Sequence, residues 1–257
     1  MSRSYAIING ATGGIGSVIA KYLASTHDLI LLGRDEKKLQ ALSEKITYDF
    51  STTNVLYYCV DMLQPKTLIA AAEDIQLKKY SIGALIHCVG VAPVGGVLEI
   101  EDKKWHDTIQ TSFMSAVYLV KYFSPMMQKM GGSIVIINGI FAIQPDANFV
   151  VSASITGALR NFAKAISKEL ISSRIRVNSI LPGGTKTPLW NEIANTLGQR
   201  FNTSASKITQ GAATSNPSKR LADPKDIAAA VRFLCSDDAT YINGAFINID
   251  GGASDAM

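Results

Sequence analysis

The chain has 257 residues, 47% of them hydrophobic, with 25 basic and 21 acidic residues and a net charge of +4. That suffices for one large core, and the mixed charges leave no dense basic stripe of the kind a nucleic-acid binder carries. No apolar run approaches the roughly 20 residues of a membrane span, and the N-terminus enters a strand pattern without a signal-peptide profile, so a cytoplasmic protein is expected.

Apolar runs of strand length alternate with longer stretches of helical period. Tyr5–Ile8 reads as a strand, Ile15–Leu23 as a helix, Leu29–Leu32 as a strand and Glu36–Ile46 as a helix. Val55–Val60, Lys66–Leu77 and Leu85–Val89 continue the alternation, followed by a long helix over Trp105–Met130. Ile134–Ile137 is a strand, Val150–Ile171 a second long helix and Val177–Ile180 a strand. Lys225–Leu234 is a helix and Phe246–Ile249 a last strand. Continuous apolar strands joined by helices indicate a parallel sheet covered on both faces, a doubly wound α/β fold. There is no internal repeat and no linker, so residues 1–257 read as one domain. Thr187–Asn216 is weakly patterned and rich in Ser, Thr, Asn and Gly; it is expected to be an irregular lid or loop.

Lys37-Lys38 and Lys103-Lys104 read as solvated helix faces. Cys59, Cys88 and Cys235 lie in apolar segments without a Cys-x-x-Cys pair and read as buried reduced thiols. His27, His87 and His106 show no metal-ligand spacing with them, so no metal is expected. His87 itself, at an apolar strand end beside Cys88, reads as a hydrogen-bonded structural residue rather than a base.

Between the first strand and first helix lies Ile8-Asn9-Gly10-Ala11-Thr12-Gly13-Gly14-Ile15-Gly16. Glycines there allow a tight turn and close approach to a pyrophosphate, and the helix start offers free N–H groups. After the second strand, Gly33 stands where NAD enzymes place an acid, and Arg34 follows, suited to a 2′-phosphate; Asp35 would partly neutralise that charge. Asp61-Met62, Gly90 and the run Arg176-Val177-Asn178-Ser179-Ile180-Leu181-Pro182-Gly183 follow at matching places, with Arg220-Leu221, Asn243-Gly244 and Asp250-Gly251-Gly252 behind them. With glycines at 10, 14 and 16, the chain resembles the short-chain dehydrogenase/reductase family over nearly its whole length. The resemblance implies a Rossmann-like fold binding NADP(H) through Gly10, Thr12, Gly14, Ile15, Gly16, Arg34, Asp61, Met62, Gly90, Pro182, Gly183, Thr185 and Thr187. It also implies a homodimer or homotetramer built on the two long helices, and a small-molecule ligand.

That family uses an Asn, a Ser, a Tyr and a Lys for catalysis. Strand five fixes the register: the Ser falls on Gly139, the Tyr thirteen residues later on Ser152, and the Lys on Thr156. Seven residues past Trp105, the Asn falls on Ser112. No tyrosine occurs between Tyr122 and Tyr241 to rescue the motif by a slip. Gln144, Asp146 and Asn148, on the loop bordering the substrate in this family, and Trp190 of the lid are the remaining pocket candidates. Asp146 is the ionisable one, and its commoner reading is a turn residue after Pro145. Two readings stay open. One is a reassigned enzyme that reduces an iminium or activated alkene, or runs a non-redox cyclisation or dehydration. The other is a catalytically inactive nucleotide sensor or scaffold subunit.

Overall fold

The computed structural model describes residues 3–255. The chain runs β1 (Tyr5–Asn9), α1 (Gly16–Leu23), β2 (Asp28–Gly33), α2 (Glu36–Asp49), β3 (Val55–Cys59), α3 (Pro65–Leu77) and β4 (Ile82–His87). It continues with α4 (Asp102–Thr108), α5 (Ser115–Met127), β5 (Gly132–Ile137), α6 (Val150–Leu170) and β6 (Ile175–Pro182). Then come α7 (Pro188–Arg200), α8 (Ala205–Ser215), α9 (Pro224–Leu234) and β7 (Phe246–Ile249). The seven strands form one sheet in the order β3-β2-β1-β4-β5-β6-β7, every pair parallel.

The strands carry apolar side chains on both faces, so each face needs a helical cover. One core packs Ile7, Ile30, Leu85, Ile134 and Val177 of the sheet against Leu68 of α3, Phe123 of α5 and Leu159 of α6. The other packs Ile8, Leu31, Ile86 and Val135 against Ile19 of α1, Leu39 of α2 and Val231 of α9. The chain leaves β1 toward β2 and β3, then crosses back so that β4 pairs with the opposite edge of β1. This reversal opens a crevice above the C-terminal ends of β1 and β4, where doubly wound sheets bind ligands.

The structure departs from the sequence expectation at three places. The long helix over Trp105–Met130 is interrupted: a π-helical segment, Ile109–Met114, separates α4 from α5. The extra residue that a π turn accommodates re-aims side chains, and Ser112 lies within it. Thr187–Asn216 is not irregular. It folds as α7 and α8, with Thr187 and Ser204 as side-chain N-caps and Pro188 at the first helical position of α7. Cys59 is exposed rather than buried, because β3 is an edge strand and Cys59 ends it.

Candidate functional site

The turn after β1 is shaped by its glycines. Gly10 has φ +81° and approaches the β4 end so closely that a Cβ there would sit 2.6 Å from the Cys88 carbonyl oxygen. The N–H groups of Gly10 and Ala11 both donate to the Leu32 carbonyl, at 3.0 and 3.1 Å, and Gly13 N–H donates back to Gly10 O at 3.0 Å. Among the described residues, the N–H groups of Thr12, Gly14 and Ile15 donate to nothing. These free donors at the start of α1 fit a pyrophosphate. Gly14 faces the lid: a Cβ there would lie 2.8 Å from Thr187 Cβ.

The far end of the crevice is polar and open. Arg34 is exposed and makes no ion pair among the described residues. Asp35 is turned to its own helix: its carboxylate accepts from Lys38 N–H at 3.0 Å and pairs with the Lys38 ammonium at 3.5 Å. The backbone hydrogen bond from Lys38 is the main influence holding the Asp35 carboxyl below its usual range. Gly33 lies against Thr12, with a built Cβ 3.3 Å from Thr12 Oγ1. Asp61 accepts from Leu63 N–H at 3.0 Å, and buried Met62 receives the Asn9 amide at 3.6 Å on its sulfur.

At the other end a cleft of about 300 Å³ opens between the β4, β5 and β6 ends and α7. Ser112, Gly139, Ser152 and Thr156 all line it, as do Ile15, Gly90, Pro182, Gly183, Thr185, Thr187 and Trp190. Ser112 and Ser152 are each 4% exposed. Ser152 Oγ is buried without a hydrogen-bond partner, whereas Thr156 Oγ1 donates to Ser152 O in its own helix at 2.7 Å. Val91 N–H donates to Ser112 Oγ at 3.4 Å. Gly139 is extended, at φ −171°, and a Cβ there would meet only Thr156 Cγ2, at 3.6 Å. Neither backbone nor crowding demands a glycine at this position, so its effect is to leave room.

Most of the remaining lining is aliphatic or aromatic, with Leu189, Ile193 and Leu197 of α7 forming the lid side. Asp146 is the one acidic or basic side chain among the lining residues. It is exposed, and its Oδ1 accepts from the N–H and the side-chain amide of Asn148, at 2.7 and 3.0 Å, as a turn residue does. Gln144 and Asn148 do not line the cleft. Gln144 Oε1 receives Asp255 N–H at 2.8 Å, and Asn148 O receives Gly95 N–H at 2.7 Å. Both are spent on holding the loop. Trp190 packs over Gly184 and donates from Nε1 to Thr209 Oγ1 of α8 at 3.0 Å, which ties α7 to α8.

Asn138 is a polar cleft residue that the sequence does not single out. Asn138, at the end of β5, donates from Nδ2 to Thr156 O at 3.0 Å and leaves Oδ1 buried without a partner. Its position one residue before Gly139 was the available signal.

His87 is structural. Ser115 Oγ donates to Thr111 O, so it accepts from His87 Nε2–H at 2.8 Å, and Nδ1 is left as a buried acceptor without a partner. Burial pushes the imidazole down to about 4. The folded state therefore holds His87 neutral while the unfolded chain protonates it near 6.5. Stability from this group is full above about pH 7 and is lost as pH falls from 6.5 toward 4, by about 2 kcal/mol at pH 5. Denaturant melts of the wild type and His87→Gln at pH 7 and pH 5 should show the wild type losing more stability on acidification. Equal losses would remove His87 as the cause.

The family model described as enoyl-(acyl carrier protein) reductase matches residues 10–254. 3-Oxoacyl-(acyl carrier protein) reductase FabG of Escherichia coli (strain K12) is 27% identical over 249 residues, covering 96% of each chain. NADPH-dependent reductase BacG of Bacillus subtilis (strain 168) is 28% identical over 257 residues, covering 98% of each. L-Sorbose reductase from Gluconobacter frateurii, solved with NADPH and L-sorbose, superposes with a TM-score of 0.92 at 30% identity, covering 100% of this chain and 98% of that one. A match that runs from the glycine turn to the residues beyond the last strand, among reductases of this one kind, makes the chain a member of the short-chain dehydrogenase/reductase family.

Proposed function

We propose that this protein binds NADP(H) and acts on an organic small molecule without the Tyr and Lys that normally relay the proton in its family. The observation that carries this reading is the chemistry of the cleft: among the described residues its lining holds no Tyr, Lys, His or Cys, and Asp146 is its one charged side chain. The free N–H groups of Thr12, Gly14 and Ile15 would hold the pyrophosphate, and Arg34 the 2′-phosphate. Gly90, Pro182, Gly183, Thr185 and Thr187 would border the nicotinamide, and α7 would exclude water from it. When bound, the nicotinamide supplies or accepts hydride.

Ser152 and Thr156 put hydroxyls, and Gly139 only a hydrogen, where the family resemblance places a phenol, an ammonium and a hydroxyl. A serine hydroxyl is a much weaker acid than a phenol, and Thr156 carries no charge. Reactions that need a strong acid at the substrate oxygen are thereby disfavoured. Hydride addition to an iminium, which gives a neutral amine directly, is not, and hydride addition to an activated C=C gives a stabilised carbanion that water can protonate. The test is NADPH consumption with cyclic imines and conjugated enones, alongside direct NADPH titration. Turnover with either class supports the reading. Tight NADPH binding with no turnover on any substrate would transfer the assignment to a nucleotide sensor or scaffold subunit, and no NADPH binding at millimolar concentration would reject the cofactor itself.

We further propose a symmetric dimer or tetramer in which α4–α5 and α6 pair about a two-fold axis, the closed arrangement usual for soluble homo-oligomers. The outer side of this layer carries Ile109, 40% exposed, and the half-buried pair Tyr118 and Tyr122, whose ring centroids lie 6.3 Å apart. Light scattering at micromolar concentration should give two or four times the chain mass of 27.6 kDa. A monomer would reject this assembly while leaving the cleft reading intact.

A further inference from the structure

The cleft also restricts what can fill it. We propose, resting on the reading of the cleft as the substrate site, that its ligand is an apolar, ring-bearing molecule with one hydrogen-bond donor, and that Asn138 reads that donor.

The apolar part follows from the walls. Phe141 and Phe149 stack with centroids 4.6 Å apart and planes 24° apart, and both line the cleft, as do the aliphatic side chains of α7. Flat apolar surface packs well on such a wall. A polyol or a charged molecule would lose its hydration there, with little on the walls to replace it. Asp146 could meet a cation, but it lies in the exposed loop and is already engaged with Asn148.

The donor follows from the two cleft residues whose buried side-chain oxygens have no partner, Asn138 and Ser152. Ser152 can donate or accept. Asn138 cannot choose. Its Nδ2 donates to Thr156 O at 3.0 Å, and its backbone N–H donates to Ile180 O at 2.9 Å, so the residue is pinned between β6 and α6. Turning the amide over would set Oδ1 against the Thr156 carbonyl, acceptor against acceptor, which fixes the orientation. Asn138 Oδ1 is therefore an acceptor waiting for a donor. The side chains around Oδ1 close it off from water, so a bound ligand reaches it by parting them while the amide keeps its bond to Thr156 O. A ligand N–H or O–H then satisfies it, and an isostere lacking the donor leaves it bare. Sites built around a buried polar group reject such isosteres strongly.

The test uses a matched pair of probes of nearly equal shape: indole, which carries an N–H, and benzofuran, which carries an ether oxygen in its place. Each is titrated by calorimetry into the NADPH-loaded protein, with L-sorbose as a polar control. Indole should bind at least about tenfold more tightly than benzofuran, the effect of one hydrogen bond, and L-sorbose should not compete. Asn138→Ala should bring indole down to the benzofuran affinity without weakening benzofuran, and Ser152→Ala should preserve most of the discrimination. A thermal melt of each variant checks that it is folded. Equal affinities in the wild type, discrimination that survives Asn138→Ala, or failure of both aromatic probes to bind would each overturn the proposal. NADPH affinity is measured on the same samples. If it is intact while the probes behave identically, the substrate class is wrong and the cofactor reading stands; if it is absent, the cofactor reading fails first.

Discussion

Simple ketones should not be reduced by this protein at a useful rate, and four substitutions should change that. A positioned general acid contributes roughly 10²–10⁴-fold to such a reaction. In the wild type, ethyl acetoacetate with NADPH should therefore give turnover at the limit of detection. The variant Ser112→Asn/Gly139→Ser/Ser152→Tyr/Thr156→Lys should raise it by at least about a hundredfold. The fold permits the attempt. A Cβ at Gly139 meets only Thr156 Cγ2, an atom that Thr156→Lys itself replaces. Ser152 lines the cleft of about 300 Å³, part of which a phenol would fill. Groups that act as a unit are strongly non-additive, so Ser152→Tyr alone should gain little. Robust ketone turnover by the wild type would contradict the assignment. If that turnover vanished in Asp146→Ala, the loop carboxylate would be the substitute acid. A folded quadruple variant that binds NADPH yet stays silent would show that more than the four side chains separates this cleft from an ordinary carbonyl reductase.

The residues that make this prediction possible were readable because β5 and α6 are regular. The apolar run Ile134–Ile137 sets where β5 ends, and α6 holds Ser152 and Thr156 one turn apart, so Gly139, Ser152 and Thr156 had to meet. The glycine turn was legible for a similar reason, because Gly10 and Gly16 stand where a Cβ would collide with the backbone of Cys88 and of Gly10. Loop residues were another matter. Gln144 and Asn148 are polar and near the site in sequence, but their hydrogen bonds to Asp255 and Gly95 keep them out of the cleft. Sequence spacing does not register such closures. The lid was misread because α7 and α8 are polar overall. Their signals were local: Thr187-Pro188 as cap and first turn, then Leu189, Ile193 and Leu197 recurring every four residues on the face that lines the cleft. The π turn at Ile109–Met114 had no composition cue at all. It shows only in the backbone, and Ser112 lies within it.

Replacing Arg34 should cost NADPH about tenfold or more in affinity and leave NADH nearly unchanged. A charge-assisted hydrogen bond contributes roughly 1.5–3 kcal/mol, and an exposed guanidinium takes the lower end because water screens it. Arg34 is free to take that role, since Asp35 spends its carboxylate on the start of α2 and on Lys38. Asp35→Asn keeps a competent N-cap while removing the charge, so NADPH affinity should rise slightly with little loss of stability. The preference should also weaken with salt, because the site is exposed. The strongest form of the test is inversion. A Cβ at Gly33 would lie 3.3 Å from Thr12 Oγ1 and 3.4 Å from Leu39 Cδ2, so an acid there needs only a small adjustment of two side chains. Gly33→Asp/Arg34→Ala supplies the ribose-binding carboxylate and removes the phosphate-binding cation together, and should make NADH the tighter ligand. Fluorescence titration of both nucleotides against the wild type and the three variants reads the result. Equal NADPH and NADH affinities in the wild type, or an Arg34→Ala variant with undiminished NADPH affinity, would place the 2′-phosphate elsewhere on the crevice.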